Sequence, residues 1–189
     1  MKILTLPHTI LTQKSRTVNQ IDKKIIQIID DMKALLETQT NPPGVGMAAP
    51  QVGIPLRIFI MKPTKKSSIR IFINPHIIDD NPTSAVSQNQ SLTTHDMPPK
   101  ITHKKLNKLE GCLSLPRIWG SVAREDKICI TYLSIEGKKT EDCFTGFESI
   151  IIQHELDHLE GIIFTQRVVE QNQTLYEEKN GELIKLTPI

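Results

Sequence analysis

The stretch Ile151–Gly161 reads IIQHELDHLEG, and inside it lies HELDH, a match to H-E-x-x-H. The flanks predict a helix over about 146–160. Thr145 and Glu148 have the spacing of a capping box, Phe147, Ile150, Ile151 and Ile152 form an apolar run, and Gly161 supplies a stop. His154 and His158 are four residues apart, hence about 40° apart around a helix, and both rings point to one side. They can share one metal ion. Glu155 falls about 80° to one side of their midpoint and Asp157 about 80° to the other. Glu155 therefore flanks an ion without binding it, which suits a general base for activated water, whereas Asp157 suits support of the ligands from behind. Leu156 points into the body.

A chance match with two histidines on a solvated face is the plain alternative. The isoleucine-rich surroundings argue against it, because a glutamate between two histidines in an apolar setting is costly without a cation. Zinc proteases extend the motif to H-E-x-x-H-x-x-G-x-x-H, and this chain follows that pattern to Gly161, then places Phe164 where the third histidine belongs. A downstream glutamate ligand is also unsupported: Glu170, Glu177, Glu178 and Glu182 lie in a polar tail without helical periodicity. Upstream, Cys129 in KICITYLSI and Cys143 in KKTEDCFTG sit on what reads as the two arms of a hairpin about Glu136 and Gly137, and fit small buried hydrophobes. Cys112 differs. It lies in LEGCLSLP beside a glycine, where the backbone can turn, and a metal would stabilise its thiolate. Cys112, His154 and His158 make a three-ligand set with one coordination position open, the layout of a catalytic metal.

Three separated segments, GVGMAAPQ (44–51), EGCLS (110–114) and QHELDH (153–158), occur in this order. Together they resemble the three signature motifs of the peptide deformylases, and the likeness runs from ILTLPHTIL near the start to GIIF after the helix. The resemblance implies hydrolysis of the formyl group from the N-terminal formylmethionine of nascent polypeptides. It assigns oxyanion stabilisation to the Gln51 side chain and the Leu113 backbone N–H, with Glu155 as the base. It sets Gly44, Val45 and Gly46 alongside the substrate backbone. Ile150 and Ile151 share the face of His154, where they either line a pocket for the methionine side chain or pack as ordinary core. The ligand types suit zinc, but the resemblance implies Fe(II), with zinc, nickel or cobalt able to substitute. Trp119 stands near where some relatives carry a substrate-contacting arginine, and the tail after Arg167 lacks the long apolar-periodic helix of many bacterial members. Two other readings remain: a metalloprotease, opposed by Phe164, and a metal-stabilised binding protein, opposed by the presence of both Glu155 and Gln51.

The chain of 189 residues, with 38% hydrophobic content, suffices for one catalytic domain over 1–189. A net charge of +2 and six scattered histidines give no nucleic-acid motif. MKILTLPHTI is too short and too broken by Pro7 for a signal peptide, no stretch approaches a membrane span, and three cysteines fit a reducing compartment, so the expectation is cytoplasmic. Apolar residues at 21, 25, 28, 29, 32, 35 and 36 predict a helix over about 20–38; 57–61, 69–73 and 127–135 read as strands, and Asn180-Gly181 as the turn of a closing hairpin. Helices flank strands without regular alternation, so the fold class is α+β, mixed small sheets around a central metal-binding helix. A polar insertion at about 79–109 reads as a solvated loop. Its Lys100, Lys104, Lys105 and Lys108 offer an alternative role in touching the ribosome or shaping the cleft entrance.

Overall fold

The computed structural model describes residues 1–78 and 104–186. Its strands are β1 (Gly46–Ala48), β2 (Ile58–Met61), β3 (Arg70–Ile77), β4 (Lys105–Cys112), β5 (Leu115–Glu125), β6 (Lys127–Leu133), β7 (Lys139–Thr145), β8 (Leu175–Lys179) and β9 (Glu182–Lys185). Its helices are α1 (Lys23–Thr38), α2 (Gly146–Leu159) and α3 (Phe164–Glu170). One antiparallel sheet runs β1-β2-β3-β6-β7 and a second runs β4-β5-β8-β9. Helix α2 packs on β1, β2, β6 and β7 of the first sheet and on β5 of the second. The α+β reading with a central helix holds. Among the described residues no helix is long and apolar enough to cross a membrane.

Strand β2 is buried on both faces. Alternate side chains point to opposite sides. Phe59 and Met61 join Phe72, Tyr132, Phe144, Ile151, Ile152, Leu156 and Leu159 under α2. Ile58 and Ile60 join Ile25, Ile29, Met32 and Leu36 of α1 on the other side. Hence the strand is a continuous apolar run and does not alternate. A third cluster, Leu11, Val122, Ile163, Phe164 and Val168, fills the space between the second sheet and α3. Truncating a ring such as Phe72, fully buried and stacked on Phe59 at 4.5 Å, would cost about 3–5 kcal/mol.

The ends of α2 show what the sequence could and could not specify. Thr145 is the N-cap, as the pattern predicts, but its hydroxyl makes no capping bond. Asp126 takes over that task, its backbone and side-chain oxygens accepting from the Gly146 N–H at 2.8 and 3.2 Å. At the other end Gly161 adopts φ +75°, and a Cβ there would lie 2.7 Å from the Thr12 backbone. Helix α1 starts at Lys23, later than position 20, because Asp22 caps it by accepting from Ile25 N at 2.9 Å.

Several expectations are corrected. Cys129 and Cys143 are not two separate small hydrophobes: they face each other across β6 and β7, with Cα atoms 4.0 Å apart, and form a disulfide. Cys129 is buried and Cys143 exposed. The pairing escaped the cysteine count because the hairpin register that sets the two side by side is not visible in a count. Of the polar insertion, residues 79–103, including Lys100, lie outside the described residues, while 105–109 are not loop but the start of β4, paired with β5. Lys104 and Lys105 lie 3.8 and 3.6 Å from Asp126 and Glu125. The tail holds the short helix α3, absent from the sequence reading, followed by the expected hairpin about Asn180-Gly181.

Candidate metal centre

Two elements bring the candidate ligand set together. Helix α2 presents His154 and His158, with ring centroids 5.0 Å apart. Cys112 ends β4, where the ladder jumps from the pair Gly111–Trp119 to the pair Cys112–Leu115, so three residues of β5 bulge out and the chain turns toward the helix. Gly111 permits this approach, since a Cβ there would lie 2.9 Å from the Trp119 ring. Cys112 Sγ lies 3.2 Å from His158 Nε2, and one ligand atom from each of Cys112, His154 and His158 falls within 4.8 Å of the others. Tetrahedral bonds of 2.0–2.3 Å separate neighbouring ligand atoms by roughly 3.5 Å, so this donor set fits one divalent ion with a position open.

Charge favours a cation here too. Burial pushes the Cys112 thiol up, but the imidazoles of His158 and His154 outweigh it and hold the thiol well below its usual range. Burial pushes His154 down, while bonds to Cys112 and Glu110 carry it well above the usual imidazole value. Without an ion the site thus favours a thiolate on Cys112 beside a protonated His154. A divalent cation would displace that proton.

The surrounding side chains fix these ligands. His154 Nδ1 lies 2.9 Å from Glu110 Oε2, and Arg124 grips Glu110 with Nε and Nη2 at 2.8 and 3.0 Å. Burial raises the Glu110 carboxyl, yet the hydrogen bonds from Arg124 and His154 bring it down to about 2. Arg124 Nη1 also donates to Asp157 Oδ2 at 2.6 Å. Asp157 therefore supports the site through Arg124 and does not touch a ligand. Phe164, standing where a third histidine was sought, is buried and lies 6.1 Å, centroid to centroid, from the His154 ring.

Gln51 sits in the short 3₁₀ turn Ala49–Val52. Its Oε1 accepts from Ala48 N at 2.8 Å, which aims Nε2 at Cys112 Sγ and Ser114 Oγ, both at 3.3 Å. Leu113, next to Cys112, packs half-buried against the α1 side of the core. Glu155 is buried, its Oε2 has no hydrogen-bond partner among the described residues, and burial pushes its carboxyl up to about 7 despite the opposing histidine charges. Gly46 lies directly against it, since a Cβ on Gly46 would overlap Glu155 Oε1 and come 3.0 Å from Ile151 Cγ2. Gly44 packs on Leu36 and Gln39 instead, and Val45 against the cluster under α2. Ile150 and Ile151 are 5% and 3% exposed, and Ile151 belongs to that cluster.

Sequence reasoning missed Glu110 and Arg124 as partners of the ligands. Glu110 carried a signal, because period two along a strand puts it on the same side as Cys112. Arg124 carried none, being brought in only by the β4–β5 register, which sets Glu110 opposite Gly120 and leaves Arg124 four residues on.

Comparison with known proteins agrees with this geometry. Residues 1–174 match the family model described as polypeptide deformylase. The peptide deformylase of Pseudothermotoga lettingae is 30% identical over 184 residues, covering 97% of this chain and 92% of the relative. That of Maricaulis maris is 35% identical over 166 residues, covering 86% and 82%. The crystal structure of the Thermotoga maritima peptide deformylase superposes with a TM-score of 0.70 at 28% identity, covering 88% of this chain and 96% of that one. A Plasmodium falciparum peptide deformylase solved with an inhibitor gives 0.67 at 33% identity, covering 90% and 91%. With a cysteine and two histidines gathered from two of the three motif segments, Gln51 of the third beside them, and matches that span nearly its whole length, the chain belongs to the peptide deformylase family of hydrolases.

Proposed function

We propose that this enzyme removes the formyl group from the N-terminal formylmethionine of nascent polypeptides at the Cys112–His154–His158 centre, releasing formate and a free amine. The observation that carries this reading is the buried Glu155 carboxyl, whose Oε2 has no hydrogen-bond partner among the described residues, set beside three convergent side-chain donor atoms. A divalent ion held by those three side chains would polarise the formyl carbonyl and acidify a water molecule. Glu155 accepts the proton of the attacking water and passes it to the amine nitrogen as the C–N bond breaks. Its raised proton affinity, to about 7, suits a group that must take and return a proton near neutrality. Gln51 Nε2 and the Leu113 N–H are the donors we assign to the developing oxyanion, and a donor of this kind is worth about 3–4 kcal/mol. Gly44, Val45 and Gly46 run beside the substrate backbone, with Ile150 and Ile151 behind the methionine side chain.

Close packing of Gly46 on Glu155 supports discrimination by size. A formyl carbon carries only hydrogen, so a narrow site admits it and rejects larger acyl groups by clash. For the ion we propose Fe(II), with nickel, cobalt or zinc able to replace it. The proposed setting is the cytoplasm, where nascent chains leave the ribosome. Lys108, exposed on β4, forms no ion pair among the described residues and is available to an acidic partner. The test is formate release from formyl-Met-Ala, compared with acetyl-Met-Ala and with cleavage of an unformylated peptide, in wild type and Glu155→Ala. Formate from the first substrate alone, lost in the variant, is expected. Equal turnover of the acetyl peptide would refute the size argument, and peptide cleavage without formate would refute the function.

A further inference from the structure

Behind the ligands, a chain of charges continues outward to a residue that neither the motifs nor the reaction accounts for. Asp157 is buried and held from two sides: Arg124 Nη1 donates to Oδ2 at 2.6 Å, and Arg167 Nη2 donates to Oδ1 at 2.7 Å, with its Nε 3.2 Å from Oδ2. Arg167 belongs to α3, outside all three motif segments. The result is an alternating line, Arg167–Asp157–Arg124–Glu110–His154, with two guanidinium and two carboxylate groups in balance.

We propose that Arg167 is a positioning residue for the metal ligand His154, acting through Asp157, Arg124 and Glu110; the proposal rests on the metal reading of that site. The argument is geometric. Arg124 divides its donors between two carboxylates, Nε and Nη2 on Glu110 and Nη1 on Asp157. While Arg167 neutralises Asp157, Arg124 can keep its two-point grip on Glu110, and Glu110 keeps His154 Nδ1. Without Arg167, two buried carboxylates compete for one guanidinium. Arg124 is drawn toward Asp157, its grip on Glu110 weakens, and the imidazole gains freedom to turn. The opposing effect, extra negative charge favouring a bound cation, is screened because the Arg167 side chain is 31% exposed. The geometric loss is not screened. Glu170, which meets Arg167 from the solvent side at 3.0 Å, contributes nothing to this line.

The test uses the cobalt(II)-loaded protein with Arg167→Met, Arg167→Lys and Glu170→Gln. Release of cobalt to a competing chelator and the thiolate-to-cobalt absorption band are read beside thermal unfolding of the metal-free proteins. Arg167→Met is expected to release cobalt about tenfold faster, the lower end of outer-partner effects on metal sites, and to shift the band. Arg167→Lys should recover part of this, since an ammonium replaces the charge but not the two-point geometry. Glu170→Gln should match wild type. Should the Met variant fail to fold, the Lys variant carries the same comparison with a change of about threefold. Cobalt release and spectrum equal to wild type in a folded Arg167 variant, or a change confined to metal-free stability, overturns the proposal. A wild-type protein that takes up no cobalt would instead refute the metal reading beneath it.

Discussion

Gly46 and Glu155 are in direct contact across the β1–α2 interface, and no side chain fits between them: a methyl group on residue 46 would overlap Glu155 Oε1 and press on Ile151 Cγ2 at 3.0 Å. Glycine here reserves space for the position of a carboxylate, not for an unusual backbone angle. Gly46→Ala is therefore expected to push Glu155 off its position and lower kcat/KM for formyl-Met-Ala about 10²-fold, the scale of an ångström misplacement. Gly181→Ala is the contrast. That residue turns the β8–β9 hairpin at φ +83° with nothing near its Cβ, so alanine costs on the order of 1 kcal/mol in stability and leaves turnover intact. Steady-state formate release from both variants checks this, and equal activity in the two would remove the reason given for Gly46.

Helix α2 was legible because its information is local. Two histidines at i and i+4, a glutamate between them and a terminal glycine act within one helix, and α2 runs over Gly146–Leu159 against an expected 146–160. Cys112 was legible as the odd cysteine beside a glycine. The long strand β5 was not, because Pro116 and Gly120 break a strand pattern; Pro116 sits at the bulge, and Gly120 makes room for Val168 and Phe164 of α3. The Cys129–Cys143 bond and the Glu110–Arg124 pair share this difficulty. Each depends on register between strands, and a slip of one residue would turn the partners to opposite faces.

Glu155 makes the stability of the metal-free protein depend on pH in a specific direction. Its carboxyl titrates near 7 in the folded chain against an ordinary value of 4.5, because burial penalises the anion. Between those values the native state holds a proton that the unfolded state has lost, so stability falls as pH rises through this window and levels off above it. Glu155→Gln removes the dependence. In metal-free protein the variant should match wild type below pH 4.5 and exceed it above pH 7 by about 3 kcal/mol. Urea unfolding of both proteins at pH 4 and pH 8 decides the matter, and a gap of the same size at both values would contradict it.

Glu110 should matter to metal retention more than to folding. It accepts a two-point grip from Arg124 and faces His154 Nδ1, so Glu110→Gln keeps the shape but halves the acceptor set and removes the charge. Outer partners of metal-binding histidines are typically worth 10–100-fold in affinity. Nickel or zinc affinity by chelator competition is expected to fall by about that factor. An unchanged affinity would mean that the Cys112 and His158 contacts alone determine binding.

The disulfide separates the protein's three cysteines into two kinds. Cys129 and Cys143 close a loop with a sequence separation of 14, and their hairpin leads through Thr145 directly into α2. In the chain-entropy view a loop of that size restricts the unfolded state by about 3 kcal/mol. Changing both residues to serine should lower stability by about that amount and the Tm by roughly 6–12 °C in a domain of this size. Because Cys112 is the free cysteine, cobalt uptake should survive in the double variant. Thiol titration of the denatured wild type, purified without reductant and freed of metal, should count one thiol. Finding three would remove the disulfide, whereas one thiol together with loss of cobalt uptake in the double variant would show that the β6–β7 clasp holds the metal helix in place, a stronger coupling than the fold implies.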